Sequence, residues 1–293
     1  MSFTILTDTS CNLPQELVDA YGLAMVPLRY LLDGEEHASY TDGKQADFSV
    51  FYEGLRAGKV VTTTLASQAE AAAVAEVCAA AGQDLLYLGF SSGLSGTYEA
   101  CSRAVAEVAA RHPERKMYSV DTLAASAGQG LLITYVARMR ERGAGIEECR
   151  DWAETHRLNI CHWFTVDDLM FLKRGGRVSA VSAVFGTALA IKPVMHVDEE
   201  GHLKVVDKVR GRKKSIAALA DRFGASLACM PAAEQTVYIS HGDCEGDARE
   251  LARILEERYG VQAPLITYVD PVIGAHSGPG TLALFYYDEV EHR

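Results

Sequence analysis

Several segments of this sequence carry residue types equipped for chemistry. In Gly89-Phe90-Ser91-Ser92-Gly93-Leu94-Ser95-Gly96-Thr97, three serines and three glycines stand where an apolar run gives way to a helical pattern. Such a turn can cradle a phosphate, expose a nucleophile or hold an anionic group. A phosphate loop needs GxxxxGK[ST], and no lysine follows these glycines; a GxGxxG dinucleotide fingerprint is absent too. Gly89-Phe90-Ser91-Ser92-Gly93 does match the G-x-S-x-G nucleophile elbow, with Asp270 and His276 downstream in serine–acid–histidine order, so a serine hydrolase or esterase is the alternative reading. An elbow, however, runs straight from nucleophile into helix, whereas Gly93-Leu94-Ser95-Gly96 inserts a flexible turn. The third reading is a neutral anion-binding turn: serine hydroxyls and backbone N–H groups at a helix start can bind a carboxylate without lysine. Its plainer counterpart is helix capping by Ser95.

Near the other end, glycines 274, 278 and 280 with Pro279 read as a tight, rigid turn presenting His276. Arg174 and Arg177 flank two glycines, which suits close backbone approach and a guanidinium fork for carboxylate or phosphate. Residues 208–214 form a basic run that includes Arg210, otherwise read as a solvated helix start. Thr62, Thr63 and Thr64 follow a strand-like segment, and their hydroxyls either extend a strand or face a ligand.

The elements that must position these residues alternate. Strand-like runs at 3–7, 84–90 and 116–122 are separated by helical patterns at 67–81, 97–111 and 129–142, which predicts crossover units and a mostly parallel sheet. A helix after residue 12 has Asn12 as N-cap, Pro14 in its first turn and Gly22 as stop. Residues 23–33 read as one strand and 47–56 as a short helix. After a helix at 145–157 and a strand at 161–166 the pattern changes. Residues 193–211 alternate and turn at Glu200-Gly201 like an antiparallel hairpin. A helix at 214–227, a strand at 236–242, a helix at 244–259 and a last strand pair, 265–269 with 282–287, complete the chain. The reading is an α/β protein of two domains, residues 1–160 and 161–293, the first mostly parallel and the second mixed. Ligands in such sheets lie beyond the carboxyl ends of strands, often between domains.

Composition bounds the function. The 293 residues are 48% hydrophobic and 23% charged with a net charge of -11, which argues against nucleic acid as the main partner. Seven cysteines without a CxxC pair give neither a zinc signature nor a disulfide framework. No leader pattern and no apolar run of membrane-spanning length is present, so a cytoplasmic protein without stable membrane insertion is expected.

Taken together, Asp8-Thr9-Ser10, the threonine segment, Ser91-Ser92-Gly93-Leu94-Ser95-Gly96-Thr97, Val120-Asp121-Thr122, Leu172-Lys173-Arg174-Gly175-Gly176-Arg177, Lys208-Val209-Arg210-Gly211 and His276-Ser277-Gly278-Pro279-Gly280 resemble, in order and over essentially the whole chain, the DegV family. That family comprises bacterial fatty-acid-binding proteins, including carrier subunits of fatty acid kinase. The resemblance implies a two-domain α/β fold with a long-chain fatty acid such as palmitate between the domains, and a non-catalytic carrier with no cofactor and no metal. It places the carboxylate at Thr63 or Thr62 with Ser95 or Ser92, and His276 close by. Arg177 and Arg210 fall near the head group or on the face that docks a kinase catalytic subunit. The acyl tunnel is expected along residues 184–195. One departure stands out: where the family usually has Thr-Ser-Gln-Pro-Ser, this chain has Thr63-Thr64-Leu65-Ala66-Ser67, with Ser67-Gln68 a shifted remnant as the other alignment.

Overall fold

The computed structural model describes residues 3–41, 44–178, 190–227 and 235–290. Ile5 and Leu6 are fully buried in β1 (Thr4–Asp8), as expected of a strand covered on both faces. β1 lies between β2 (Leu23–Val26) and β8 (Leu85–Gly89), with β9 (Met117–Asp121) outside β8, and all these pairings are parallel. The expected single strand over 23–33 is broken at Pro27, which has no N–H for a ladder. Beyond the break, β3 (Arg29–Leu32) leaves the parallel sheet and pairs antiparallel with β4 (Glu35–Ala38) and β7 (Val61–Thr64). A two-stranded ladder, β5 (Tyr40–Thr41) with β6 (Lys44–Gln45), follows β4.

Helix starts follow the local chemistry. Asp47 caps α2 (Phe48–Arg56) and Ser67 caps α3 (Gln68–Ala80) through their side-chain oxygens. α1 (Gln15–Ala20) begins differently from expectation. Pro14 is its N-cap, while Asn12, in the left-handed conformation, closes the 3₁₀ turn Thr9–Cys11. α3 and α4 (Thr97–Arg111) cover one face of the parallel sheet, where Ala71, Ala75 and Ala104 permit close packing against Leu6, Leu85 and Tyr87.

α5 (Ser126–Glu141) covers the other face, and α6 (Ile146–His156) packs beside it. α5 begins three residues before the expected start, and is buried nearly all round because it lies between two sheets. One continuous core joins its Leu131, Leu132 and Val136 to Ile5, Leu86 and Leu88 of the first sheet and to Phe164, Ala283 and Phe285 of the second. Replacing Leu131, fully buried, by alanine would cost about 2–5 kcal/mol. A Cβ at Gly128 would lie 2.2 Å from His162 Nε2, so glycine is what lets this helix sit so low on the second sheet.

The second sheet contains β10 (Ile160–Thr165), β11 (Ile191–Val197), β12 (Leu203–Arg210), β13 (Tyr238–His241), β14 (Leu265–Tyr268) and β15 (Leu282–Tyr287), in the order β12-β11-β10-β15-β13-β14. The β11–β12 hairpin turns at Glu200-Gly201 as expected. β14 and β15 do not pair with each other: β13 lies between them, parallel to β14 and antiparallel to β15. α8 (Arg212–Ser226) and α9 (Glu245–Tyr259) cover the outer face through Ile216, Leu219, Phe223, Leu251 and Leu255. Two short helices, α7 (Met170–Arg174) and α10 (Pro271–Ser277), carry residues toward the inter-sheet space. The layers are thus helices, parallel sheet, α5, mixed sheet, helices.

Candidate functional site

Beside the start of α5, a cavity of about 290 Å³ opens between the two sheets. Its walls are mainly apolar. Phe90, Leu94 and Leu65 come from the first half of the chain, and Phe164, Leu203 and Phe285 from the second. Polar groups converge at one part of the wall, each delivered by a different element.

β7 delivers Thr63. Strand alternation turns Thr62 and Thr64 outward and Thr63 inward, where its Oγ1 lies 2.9 Å from His276 Nε2. Thr64 reaches the cavity rim, and its hydroxyl donates to the Arg29 carbonyl. α10 delivers His276 in its last turn, so the histidine sits on a helix and not, as expected, in a glycine-proline turn. Asp270 caps this helix, accepting from the Val272 N–H at 2.7 Å. Burial pushes the Asp270 carboxyl up to about 7, and Asp8 adds to the rise. Burial, followed by the nearby Arg177 guanidinium, holds His276 down to about 4, so its ring is neutral at neutral pH.

Gly175 explains part of the Gly-Gly-Arg spacing. A Cβ there would stand 2.2 Å from His276 Nδ1, so the backbone of the turn after α7 touches the imidazole directly. The same turn throws Arg177 into the cavity wall, where its Nε donates to the Leu94 carbonyl at 3.1 Å. Burial lowers the pKa of Arg177. Among the described residues no acidic side chain pairs with it, unlike Arg212, which pairs with Asp247 and Asp167. A half-buried guanidinium facing an apolar cavity without a counter-charge is costly unless an anion joins it.

The serine-rich turn divides its labour. Ser95 lines the cavity; its hydroxyl accepts from the Thr97 N–H at 3.2 Å and donates to Thr97 Oγ1 at 3.0 Å, while the N-cap of α4 is Gly96 and not, as the plainer reading had it, Ser95. Ser91 differs. Its side chain is fully buried, and its hydroxyl donates to the Gly201 carbonyl at 3.0 Å while accepting from the Gly93 N–H. It is absent from the cavity wall, and His276 is engaged with Thr63; the elbow reading has neither an accessible nucleophile nor a base beside it. Ser91 instead docks the tip of the β11–β12 hairpin. A Cβ at Gly93 would meet the Glu200 carbonyl oxygen at 2.5 Å, and Gly201, at φ +78°, lies against the Ser91 hydroxyl. The hairpin's Val197 and Leu203 then form part of the cavity wall.

Of the residues singled out from sequence, the structure therefore brings Thr63, Ser95, His276 and Arg177 to one cavity. Three do not reach it. Thr62 faces outward by strand alternation. Ser92 is held beside Asp121, which accepts its N–H. Arg210 ends β12 as an exposed side chain. The acyl lining is expected over 184–195. Residues 184–189 lie outside the described residues, and Val194 and Met195 belong to the cores on either side of the sheet. Three polar residues of the wall, Ser126, His162 and Ser240, carried no signal in the sequence, because nothing in their spacing links them and only the fold joins them. No group of three or more potential metal ligands occurs among the described residues, and no helix there is long and apolar enough to cross a membrane.

Comparison with known proteins agrees with this architecture. The model of the family described as "Uncharacterised protein, DegV family" matches residues 2–289. This chain belongs to the DegV family. A DegV domain-containing protein from Clostridium perfringens is 37% identical to it, over 99% of this chain and 98% of the relative. Among solved structures, a DegV family protein from Thermus thermophilus, described for its fatty acid binding, superposes with a TM-score of 0.85 at 30% identity, covering 98% of this chain and 100% of that one. DegV from Bacillus subtilis, described as a fatty acid binding protein, superposes with a TM-score of 0.83 at 25% identity, covering 99% and 100%. The α/β fold with its parallel four-stranded sheet is thus the DegV fold.

Proposed function

We propose that this protein is a carrier that binds one long-chain fatty acid, with the carboxylate at Arg177, Thr63, Ser95 and His276 and the acyl chain in the cavity between the sheets. The observation that carries the reading is Arg177, a half-buried cation with no acidic partner among the described residues, at the wall of an apolar cavity beside two hydroxyls and a neutral imidazole. An anionic head with an apolar tail supplies what each part of this site lacks. Hydroxyls and a guanidinium stabilise the carboxylate while leaving it chemically accessible. The fatty acid binding described for the Thermus thermophilus and Bacillus subtilis relatives supports the same ligand class.

Burial of the chain dominates the affinity. At about 0.8 kcal/mol per methylene, a sixteen-carbon tail contributes on the order of 10 kcal/mol before ordering costs. Cavity length and shape therefore set selectivity among acids such as palmitate. The two sheets correspond to two domains dividing near residue 160, with the acid between them.

In the finer reading, a separate kinase phosphorylates the bound acid. A carboxylate oxygen bonds to the terminal phosphorus of ATP, ADP leaves, and an acyl phosphate remains on the carrier. Arg210, exposed and away from the cavity, belongs to the face that meets this kinase. Titration calorimetry with palmitate on delipidated protein tests the binding. Wild type should bind one equivalent, and Thr63→Ala/Ser95→Ala should lose at least tenfold in affinity. Equal binding by both would remove the assigned head-group site. For the kinase step, Arg210→Ala should leave palmitate affinity unchanged while slowing acyl-phosphate formation; equal loss of both would overturn that role.

A further inference from the structure

The cavity holds a second polar point whose donor and acceptor character is set by its neighbours. Asn12 Nδ2 donates to the Thr9 carbonyl, which orients its amide so that Oδ1 is the acceptor facing Ser126. The Ser126 hydroxyl donates to that Oδ1 at 2.6 Å, and so its proton is spent. Ser240 Oγ lies 2.8 Å from Ser126 Oγ. With the Ser126 proton committed to Asn12, Ser240 is the donor in this contact. Its own oxygen is left with lone pairs only, and no other donor to it is present among the described residues. Ser240 is fully buried and lines the cavity.

Several features mark this point as built. Ser126 adopts φ 57°, a left-handed conformation unusual for a residue with a side chain, and it does so where its hydroxyl spans Asn12 and Ser240. Strand register sets Ser240 opposite Ala283, which in turn lies opposite Phe164, so the smallest side chain of that row stands next to the serine. The nearby His162 brings no competing proton: its Nδ1–H donates to the Ile160 carbonyl and its Nε2 accepts the Ala125 N–H. Ser240 thus presents an acceptor on an element other than those carrying Thr63, Ser95 and His276.

We propose that Ser240 Oγ receives a hydroxyl proton from the chain of the bound acid, so that the preferred ligand class includes long-chain acids hydroxylated along the chain. An oxo group at the same carbon brings only an acceptor and gains nothing there. This inference rests on the fatty-acid reading above, and its test separates the two. Delipidated wild type and Ser240→Ala are titrated with stearate, with stearates hydroxylated at successive carbons, and with the matching oxo acids. A buried hydroxyl that finds no partner loses roughly tenfold in affinity. One positional isomer should escape that loss in wild type and bind at least as tightly as stearate, while its oxo counterpart does not. In Ser240→Ala that isomer should weaken about tenfold, with stearate held within about twofold, which also reports that the variant is folded. If every hydroxylated isomer is weakened by the same factor in both proteins, the inference fails while the fatty-acid reading stands. If no acid binds wild type, both fail.

Discussion

His276 titrates in a way that the structure makes quantitative. In the unfolded chain its imidazole takes a proton near the ordinary value of 6.5, whereas in the folded, ligand-free protein burial and Arg177 hold that value at about 4. The unfolded state therefore binds the proton first as pH falls. No cost arises above about pH 7; the penalty on folding grows between 6.5 and 4 and is complete below 4. It amounts to about 2 kcal/mol near pH 5 and about 3 kcal/mol at its limit. His276→Gln removes the titration and keeps an amide that can bond Thr63. Urea unfolding of delipidated wild type and variant, each at about pH 7.5 and about pH 5, isolates the term as a double difference. The variant should gain about 2 kcal/mol on wild type over that step. Loading with a fatty acid should shrink the gain, because a carboxylate beside the ring favours its protonated form. Parallel pH profiles for the two delipidated proteins would refute the placement of His276 as a buried neutral base beside a cation.

Other outcomes follow from single contacts. Gly175→Ala puts a methyl 2.2 Å from His276 Nδ1 and should weaken acid binding and cost about 1–3 kcal/mol in unfolding, whereas Gly176→Ala, with nothing within 4 Å, should pay only for its φ of +71° and leave binding intact; equal effects on binding would contradict the packing described. Gly201→Ala drives a methyl onto the Ser91 hydroxyl, and hydrogen exchange should then quicken across the hairpin from Val197 to Leu203; unchanged protection there would show that the tip is not docked. Asp270 has the opposite sign to His276. Its folded-state value is raised to about 7, so its contribution is present at acid pH and lost as pH rises from about 4 to about 7. Asp270→Asn should therefore gain on wild type in that direction in urea unfolding, and a gain on acidification would overturn the assignment.

The strand–helix alternation and the hairpin turn at Glu200-Gly201 were legible because each rests on local periodicity, whereas the N-cap expected at Asn12 closes a 3₁₀ turn instead. Pro27 shows where periodicity misleads: the apolar pattern runs on through 23–33, but the missing N–H sends the two halves to different sheets. For the candidate site, residue type drew attention to segments that the fold brings to one cavity, and geometry then chose among neighbours. Alternation along β7 selects Thr63 over Thr62, and docking of the hairpin tip takes Ser91 out of the cavity while Ser95 stays in it. The placement of His276 on a helix was hidden because Gly278 and Pro279, read as its turn, lie just beyond the helix end. Ser126, Ser240 and Asn12 were invisible as a group, since a link across 114 positions leaves no trace in spacing.

The account's central claim is that this cavity holds a fatty acid by its carboxylate. Native mass spectrometry of the purified protein, followed by denaturing extraction and identification of what is released, tests it most directly. A non-covalent adduct of fatty-acid mass that is lost in Thr63→Ala/Ser95→Ala is the predicted result. A clean mass of the bare chain that stays unchanged after incubation with palmitate and with oleate would contradict it.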